Sequence, residues 1–405
     1  MKSFWEKCRG YLQPSLVFLL AVFMKQFYLL ESGSFQIGDL LFMLSAAACA
    51  WSLRRELAEL PGALREKRIS LSGILKGHGL LYVYFFLAIL IDLIYFLRFP
   101  DSDASDFRFY KSAAYMVFNG ILVLCFLGLR YREGAAFLHK LRYALMLCPP
   151  LQLLILALGL GRTVFGRFAG SFNDPNQCAF FVFAEFLLFY VLSEREEKRR
   201  LTLPVFLCTV TVVVAAQSMG ALLGILALTP CMLYRFLKRS DRLGPKTLLP
   251  ATAVITAAVI LVLLTKPYAV VSLTSRIADK IRGFDLFSGR GLMNLFEDRC
   301  WDKLLLYPKQ MLWGAGEGNY ERFPSIRYPM NEVHSSLFTA LFCYGILPFG
   351  CLLTWMVLCF KKADGAGRIV LTALLAEAMM LNNTRNPYFW LLFVVAACRE
   401  KEKTK

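Results

Sequence analysis

Apolar residues along the chain gather in blocks of roughly 17 to 25, the length that spans a hydrocarbon core. The blocks predict helical spans over 12–30, 37–53, 79–97, 112–129, 143–160, 177–193, 201–216, 219–237, 248–265, 334–360, 368–381 and 387–398. About twelve such segments make an all-α polytopic membrane protein. One connection breaks the rhythm: from about Lys266 to Val333 the chain stays out of the apolar pattern. Loops of that length are functional or disordered. Trp301, Trp313, Tyr307, Tyr320, Phe284 and Phe287 are too many aromatics for an unfolded linker, so a folded module is expected. Within it "GRGLMNLFEDRCWDKLLLYP" predicts a short helix with Leu292, Leu295, Trp301 and Leu304 on its apolar face.

Composition agrees with this reading: hydrophobic residues are 57% and charged residues 19% of the chain. The formal charge of +17 raises the question of nucleic acid, and its distribution answers it. Arg54, Arg55, Arg65, Lys67 and Arg68 share one predicted side with Arg130, Arg132, Lys140 and Arg142. Arg195, Lys198, Arg199 and Arg200 fall there too, as do Arg235, Lys238, Arg239, Arg242, Lys246, Lys361, Lys362 and Arg368. The opposite connections are poor in Lys and Arg, and Asp101, Asp103 and Asp106 offset the 98–111 loop. This alternation is the positive-inside pattern, which puts both termini in the cytoplasm and requires no nucleic-acid partner. No small-residue cleavage site follows the first apolar run, so a cleavable signal peptide is not expected. Of the twelve cysteines, Cys49, Cys125, Cys208 and Cys351 sit in spans, and only Cys300 falls clearly in an external loop. Neither a disulfide framework nor a zinc motif is implied.

Polar residues then cluster on the predicted outer side. "GRFAGSFNDPNQCAFF" (166–181) enters the sixth span, "AAQSMGALLG" (215–224) reverses the chain, and "NNTRNP" (382–387) joins the last two spans. Polar groups at membrane depth are costly and tend to be functional. Each has a plainer alternative. Asn173-Asp174-Pro175-Asn176 is a good turn and N-cap. Gly314-Ala315-Gly316-Glu317-Gly318 lacks the strand context of a nucleotide loop and reads as a flexible turn. Asp101-Ser-Asp103 reads as solvated surface, and Lys25 either snorkels or faces a cavity. His78 and His139 fall in basic cytoplasmic connections and read as surface residues, which leaves His334 as the sole outer histidine. A lone histidine at a helix start is more often structural. Arg276, Arg282, Arg290 and, further off, Arg162, Arg167 and Arg385 change that balance, because guanidinium forks suit phosphate and a nearby imidazole accepts protons near neutrality.

Four segments in order then resemble the O-antigen ligase and O-antigen polymerase superfamily, bacterial membrane enzymes that move glycans from undecaprenyl diphosphate. "GSFNDPN" (170–176) is similar to the family's Gly-x-Phe-x-Asp-Pro-Asn element, and "FSGR" (287–290) followed by Trp301 to its Ser-Gly-Arg entrance to the periplasmic loop. "LWGAGEGNY" (312–320) looks like its glycine-rich stretch and "HSSLFTALFCYG" (334–345) like its histidine signature. The first 150 residues match only as hydrophobic helices. The chain thereby divides into N-terminal helices, 1–160, and a ligase-like region, 161–405, that holds the extracytoplasmic loop 266–333. Where the family often has Ser-Arg, this chain has Ser218-Met219, so Arg276 or Arg385 would replace the missing arginine; Pro348 also departs from the pattern.

The resemblance implies that Arg290 stabilises the diphosphate leaving group and His334 deprotonates or orients the acceptor hydroxyl. Asp174 and Asn176 would shape the cavity or bind sugar hydroxyls, with Ser218, Arg276 and Arg385 on the substrate. His334 and Arg290 are expected around one cavity. The expected partners are an undecaprenyl-diphosphate-linked oligosaccharide, an acceptor glycan or glycolipid and the lipid bilayer. The activated leaving group makes a metal or other cofactor unnecessary. Polymerase and ligase both fit, with the polymerase slightly favoured by the departures. The competing classes are a twelve-span transporter or flippase, for which matching interrupted helices are not evident, and a non-catalytic envelope scaffold.

Overall fold

The computed structural model describes residues 13–29, 35–59, 75, 77–99, 109–237, 275 and 289–398. The predicted span 248–265, the Asp101-Ser-Asp103 loop and, apart from Ser275, residues 266–288 of the long loop with Arg276 and Arg282 lie outside the described residues.

The described chain is mostly helical, and its helices follow the apolar blocks. They are α1 (Pro14–Met24), α2 (Ile37–Glu59), α3 (Gly79–Arg98), α4 (Phe109–Glu133) and α5 (Ala135–Ala157). A hairpin, β1 (Arg162–Val164) and β2 (Arg167–Gly170), precedes α6 (Pro175–Arg195), α7 (Thr202–Ala216) and α8 (Met219–Leu237). Then come the short α9 (Gly289–Asp298), α10 (Asp302–Leu306) and α11 (Gln310–Trp313). The chain ends in α12 (Ser336–Tyr344), α13 (Ile346–Lys362), α14 (Gly365–Ala378) and α15 (Pro387–Ala397). Five of these, α2 to α6, are long and apolar enough to cross a membrane, while α1, α7, α8 and α15 are apolar but shorter.

Side-chain caps fix several helix starts. Asp174 accepts from the Asn176 and Gln177 amides with Pro175 next in line, and Asn386 accepts from the Tyr388 amide before Pro387. Ser335 and Asp364 cap α12 and α14 in the same manner. Each cap satisfies amides that the first turn leaves open, and proline is at home just inside the start. Helix α6 forms the centre, with 89% of its span buried, and α15 packs against α4, α6, α13 and α14.

The basic end is tied by arginine. Arg195 Nη1 donates to the Val395 and Cys398 carbonyls at 2.8 and 2.9 Å, and its Nε donates to Asp364 at 2.8 Å. These bonds satisfy carbonyls that the end of α15 leaves open. His78 is a correction to the sequence reading. It is buried, its Nδ1 accepts from Trp355 Nε1 at 3.2 Å, and burial with Lys362 and Arg130 nearby lowers its pKa to about 4. Tertiary packing of α13 over the start of α3, invisible in the local sequence, covers it.

Three local features also depart from expectation. The all-α reading missed the hairpin, whose turn places Phe165 and Gly166 at φ 50° and 72°, the paired positive values of a tight hairpin turn. The expected helix in the long loop is interrupted between α9 and α10, where Cys300 has φ 53° and is buried. The expected continuous span 334–360 is two helices meeting at Gly345, whose φ of 78° and ψ of 176° belong to glycine. A Cβ there would lie 2.7 Å from the Leu312 carbonyl oxygen.

Within the expected loop module, the described residues 289–333 are held by internal bonds. Asp302 accepts from the Ser325 hydroxyl at 2.8 Å and the Ile326 amide at 2.7 Å. Lys303 Nζ donates to the Asn331 carbonyl at 2.5 Å. Arg322 lies among the rings of Tyr95, Phe99, Phe109 and Phe323, 4.8–5.3 Å from their centroids, so the module is bound to α3 and α4.

Candidate functional site

The ends of helices opposite the arginine-tied end enclose a polar cavity of about 530 Å³. Its wall combines Asp174 and Asn176 from the start of α6, Glu332 from the module, His334 just before α12, and Asn382 and Arg385 from the connection between α14 and α15. Lys25, Tyr28 and Tyr115 close the side formed by the N-terminal helices. Segments more than 200 residues apart in the chain therefore meet in one place.

Backbone bonds set the position of His334. Its amide donates to the Arg299 carbonyl at 2.9 Å, and its own carbonyl accepts from Trp301 Nε1 at 3.2 Å. The break at Cys300 makes this possible by turning Arg299 and Trp301 towards the start of α12. The half-buried imidazole has its pKa held below the usual histidine range by burial, with Arg299, Arg385 and Lys303 acting in the same direction and Glu332 opposing them. At neutral pH it is a neutral proton acceptor.

Arg385 is the most heavily bonded cation described at the site. Its Nη2 lies 2.5 Å from Glu332 Oε2 and 2.7 Å from Glu317 Oε1, and it donates to the Tyr320 hydroxyl at 2.6 Å. Glu317 is locked from behind: Tyr344 Oη donates to its Oε2 at 2.5 Å, Asn382 to its Oε1 at 3.2 Å, and its amide donates to Asp92 at 2.7 Å. The glycine-rich stretch is thus no flexible turn. Gly314 and Gly316, at φ 85° and 70°, bend the backbone to deliver Glu317 beneath Arg385, and a Cβ at Gly316 would meet Tyr95 at 2.8 Å. The 382–386 connection is equally bound: Asn383 donates to Glu377 and Asn119 to the Thr384 carbonyl.

The structure brings together His334, Asp174, Asn176 and Arg385 among the residues singled out from sequence. The Asp174 carboxylate also serves as an N-cap, with both amide bonds falling on Oδ1, so the structural and cavity-lining readings hold at once. Asn176 Oδ1 accepts from Arg167 at 2.8 Å, and Arg167 also donates to the Ala216 carbonyl at the turn between α7 and α8. A guanidinium therefore stands beside the Ser218-Met219 turn without being encoded in it. Ser218 itself is fully buried and is not among the residues lining this cavity; the residue before it, Gln217, is left-handed. Arg290 is the second residue of α9, but its side chain, like all of Arg276, lies outside the described residues.

Lys25, left between snorkelling and facing a cavity in the sequence reading, faces the cavity and pairs with Asp39. The ammonium lies 2.6 Å from Asp39 Oδ1, both side chains are nearly buried, and Lys25 lines the cavity. A second cavity of about 590 Å³ adjoins the first, sharing Lys25, Tyr115, Arg385 and Pro387. Its other walls are mainly apolar, among them Phe35, Met43, Val117, Phe118 and Ile121. A polar chamber with a proton acceptor and an arginine thus opens beside an apolar trough, with two cations where they join. No protein-family model matches the chain, and no curated protein matches it in sequence.

Proposed function

We propose that the chain is a membrane glycosyltransferase that moves a glycan from a lipid diphosphate, undecaprenyl diphosphate in the family it resembles, onto an acceptor sugar hydroxyl. The observation that carries this is the junction of the two cavities. An amphiphile with an anionic head and an isoprenoid tail matches a polar chamber holding His334 and Arg385 next to an apolar trough. In this reading His334 takes the hydroxyl proton as the acceptor oxygen bonds to the anomeric carbon. The bond from that carbon to the diphosphate breaks with its electron pair, with inversion. Arg385 and, by resemblance, Arg290 stabilise the charge left on the diphosphate. Asp174 and Asn176 face the sugar. The reading keeps the twelve-span topology, both termini in the cytoplasm of a bacterial inner membrane, and the site on the outer face with the long loop. Polymerase and ligase forms differ only in the acceptor.

The test is to express His334→Ala, Arg385→Ala and Arg290→Ala in a deletion strain and profile lipid-linked glycans and surface polymer. Short lipid-linked units should accumulate, at normal protein levels in the His334 and Arg290 variants; Arg385→Ala also unpairs the buried Glu317 and is read per amount of folded protein. Normal polymer in the His334 and Arg385 variants would overturn the assignment. One repeat attached normally indicates polymerase, and long polymer left on its carrier indicates ligase.

A further inference from the structure

Arg385 meets two carboxylates of unlike character. The Glu317 side chain is fully buried and held by Tyr344 and Asn382. Glu332 is 24% exposed, lines the polar cavity, and has one further bond from Tyr320 at 3.4 Å. Glu317 is thus a fixed counter-ion, whereas Glu332 sits on the cavity side of the same guanidinium, where an incoming anion would bind. The two carboxylates together exceed the single charge of Arg385.

We propose that Glu332 is a displaceable counter-anion that gives this site its selectivity, holding Arg385 against singly charged phosphodiester headgroups and yielding it to a diphosphate. The inference rests on the reading of the site as one for a lipid diphosphate. A membrane surrounds any such site with phospholipid headgroups at high local concentration. A phosphodiester brings one negative charge, so exchanging it for Glu332 gains no attraction and leaves a like charge in the cavity. A diphosphate brings more charge and more acceptor oxygens, which suit a guanidinium fork. It can also extend along the lining shared by both cavities towards Lys25, which is held there in its pair with Asp39. Glu332 acts through Arg385 and is a positioning residue.

The experiment uses the full chain in phosphatidylcholine nanodiscs, with farnesyl diphosphate as the probe, with and without an excess of phosphatidylglycerol. Wild-type affinity should be indifferent to phosphatidylglycerol. Glu332→Gln should bind the probe about tenfold more tightly in phosphatidylcholine, the scale of one removed like-charge contact. That gain should vanish when phosphatidylglycerol is added. Glu332→Asp keeps the charge but is one methylene shorter, and should show a smaller gain; it carries the test if the glutamine variant does not fold. No gain in either variant, or a gain that survives phosphatidylglycerol, overturns the inference while wild-type binding upholds the lipid-diphosphate reading. If neither wild type nor variants bind the probe, that reading falls and this inference with it.

Discussion

The junction at Gly345 allows a test with an internal control of opposite sign. Gly345 and Gly350 are five residues apart, at the start and inside α13. Replacing Gly350 by alanine meets nothing within 4 Å and should stabilise by about 0.5–1 kcal/mol, because alanine loses less conformational freedom in a helix. At Gly345 the same methyl would lie 2.7 Å from the Leu312 oxygen, 2.8 Å from the Gly314 nitrogen and 2.9 Å from the Trp313 carbonyl carbon, all backbone atoms. The φ of 78° with ψ near 180° adds about 1–3 kcal/mol for a residue with a Cβ. Relief of the contacts requires α11 to move from α12, so a destabilisation of about 3 kcal/mol or more is expected. Denaturant unfolding in detergent, followed by tryptophan fluorescence, measures both variants. Equal midpoints for Gly345→Ala and Gly350→Ala would refute the argument that this glycine is required by conformation and close approach.

On the proposed mechanism, in which neutral His334 takes the hydroxyl proton, glycosyl transfer should rise with pH through a midpoint below 6.5 and be flat at neutrality, because burial lowers the His334 pKa; a pH–rate profile still rising above pH 7 would contradict this. His78 should weaken the fold in acid. Its folded pKa of about 4 is below the unfolded value, so the unfolded state gains protons first and stability falls by about 3 kcal/mol between pH 6.5 and 4, a slope that His78→Gln should flatten. Asp39→Asn should cost about 3–5 kcal/mol by leaving the Lys25 ammonium buried without its partner. The double variant Lys25→Met, Asp39→Leu should recover most of that in the same unfolding assay; an additive double loss would show that the pair is not coupled.

The helices were legible because a membrane-length apolar block leaves few alternatives, and predicted and observed ranges agree within a few residues over most of the described chain. The hairpin 162–170 was missed because a short alternating stretch carries little weight beside such blocks. The break at Cys300 was missed because a cysteine gives no turn signal. His334, Asp174, Asn176 and Arg385 were found because polar residues at span ends stand out. Glu317 and Glu332 were passed over since an acidic residue in a long polar loop looks solvated. Only folding places them against Arg385, and only the approach of α1 to α2 gives Lys25 its partner in Asp39.

The aromatic surround of Arg322 has a mechanical meaning. A loop that opened and closed over the cavity would have to pull this guanidinium from between Tyr95, Phe99 and Phe109 and part Glu317 from Asp92. Arg322 would keep its bonds to the Ala315, Gly318 and Asn319 carbonyls but lose the rings around it, and buried Asp92 would lose its amide donor. The module over the cavity is therefore a fixed wall and no lid. On the proposed reading, entry is left to the flank where the apolar trough is lined by α2 and α4, and the lipid tail would pass sideways between these helices.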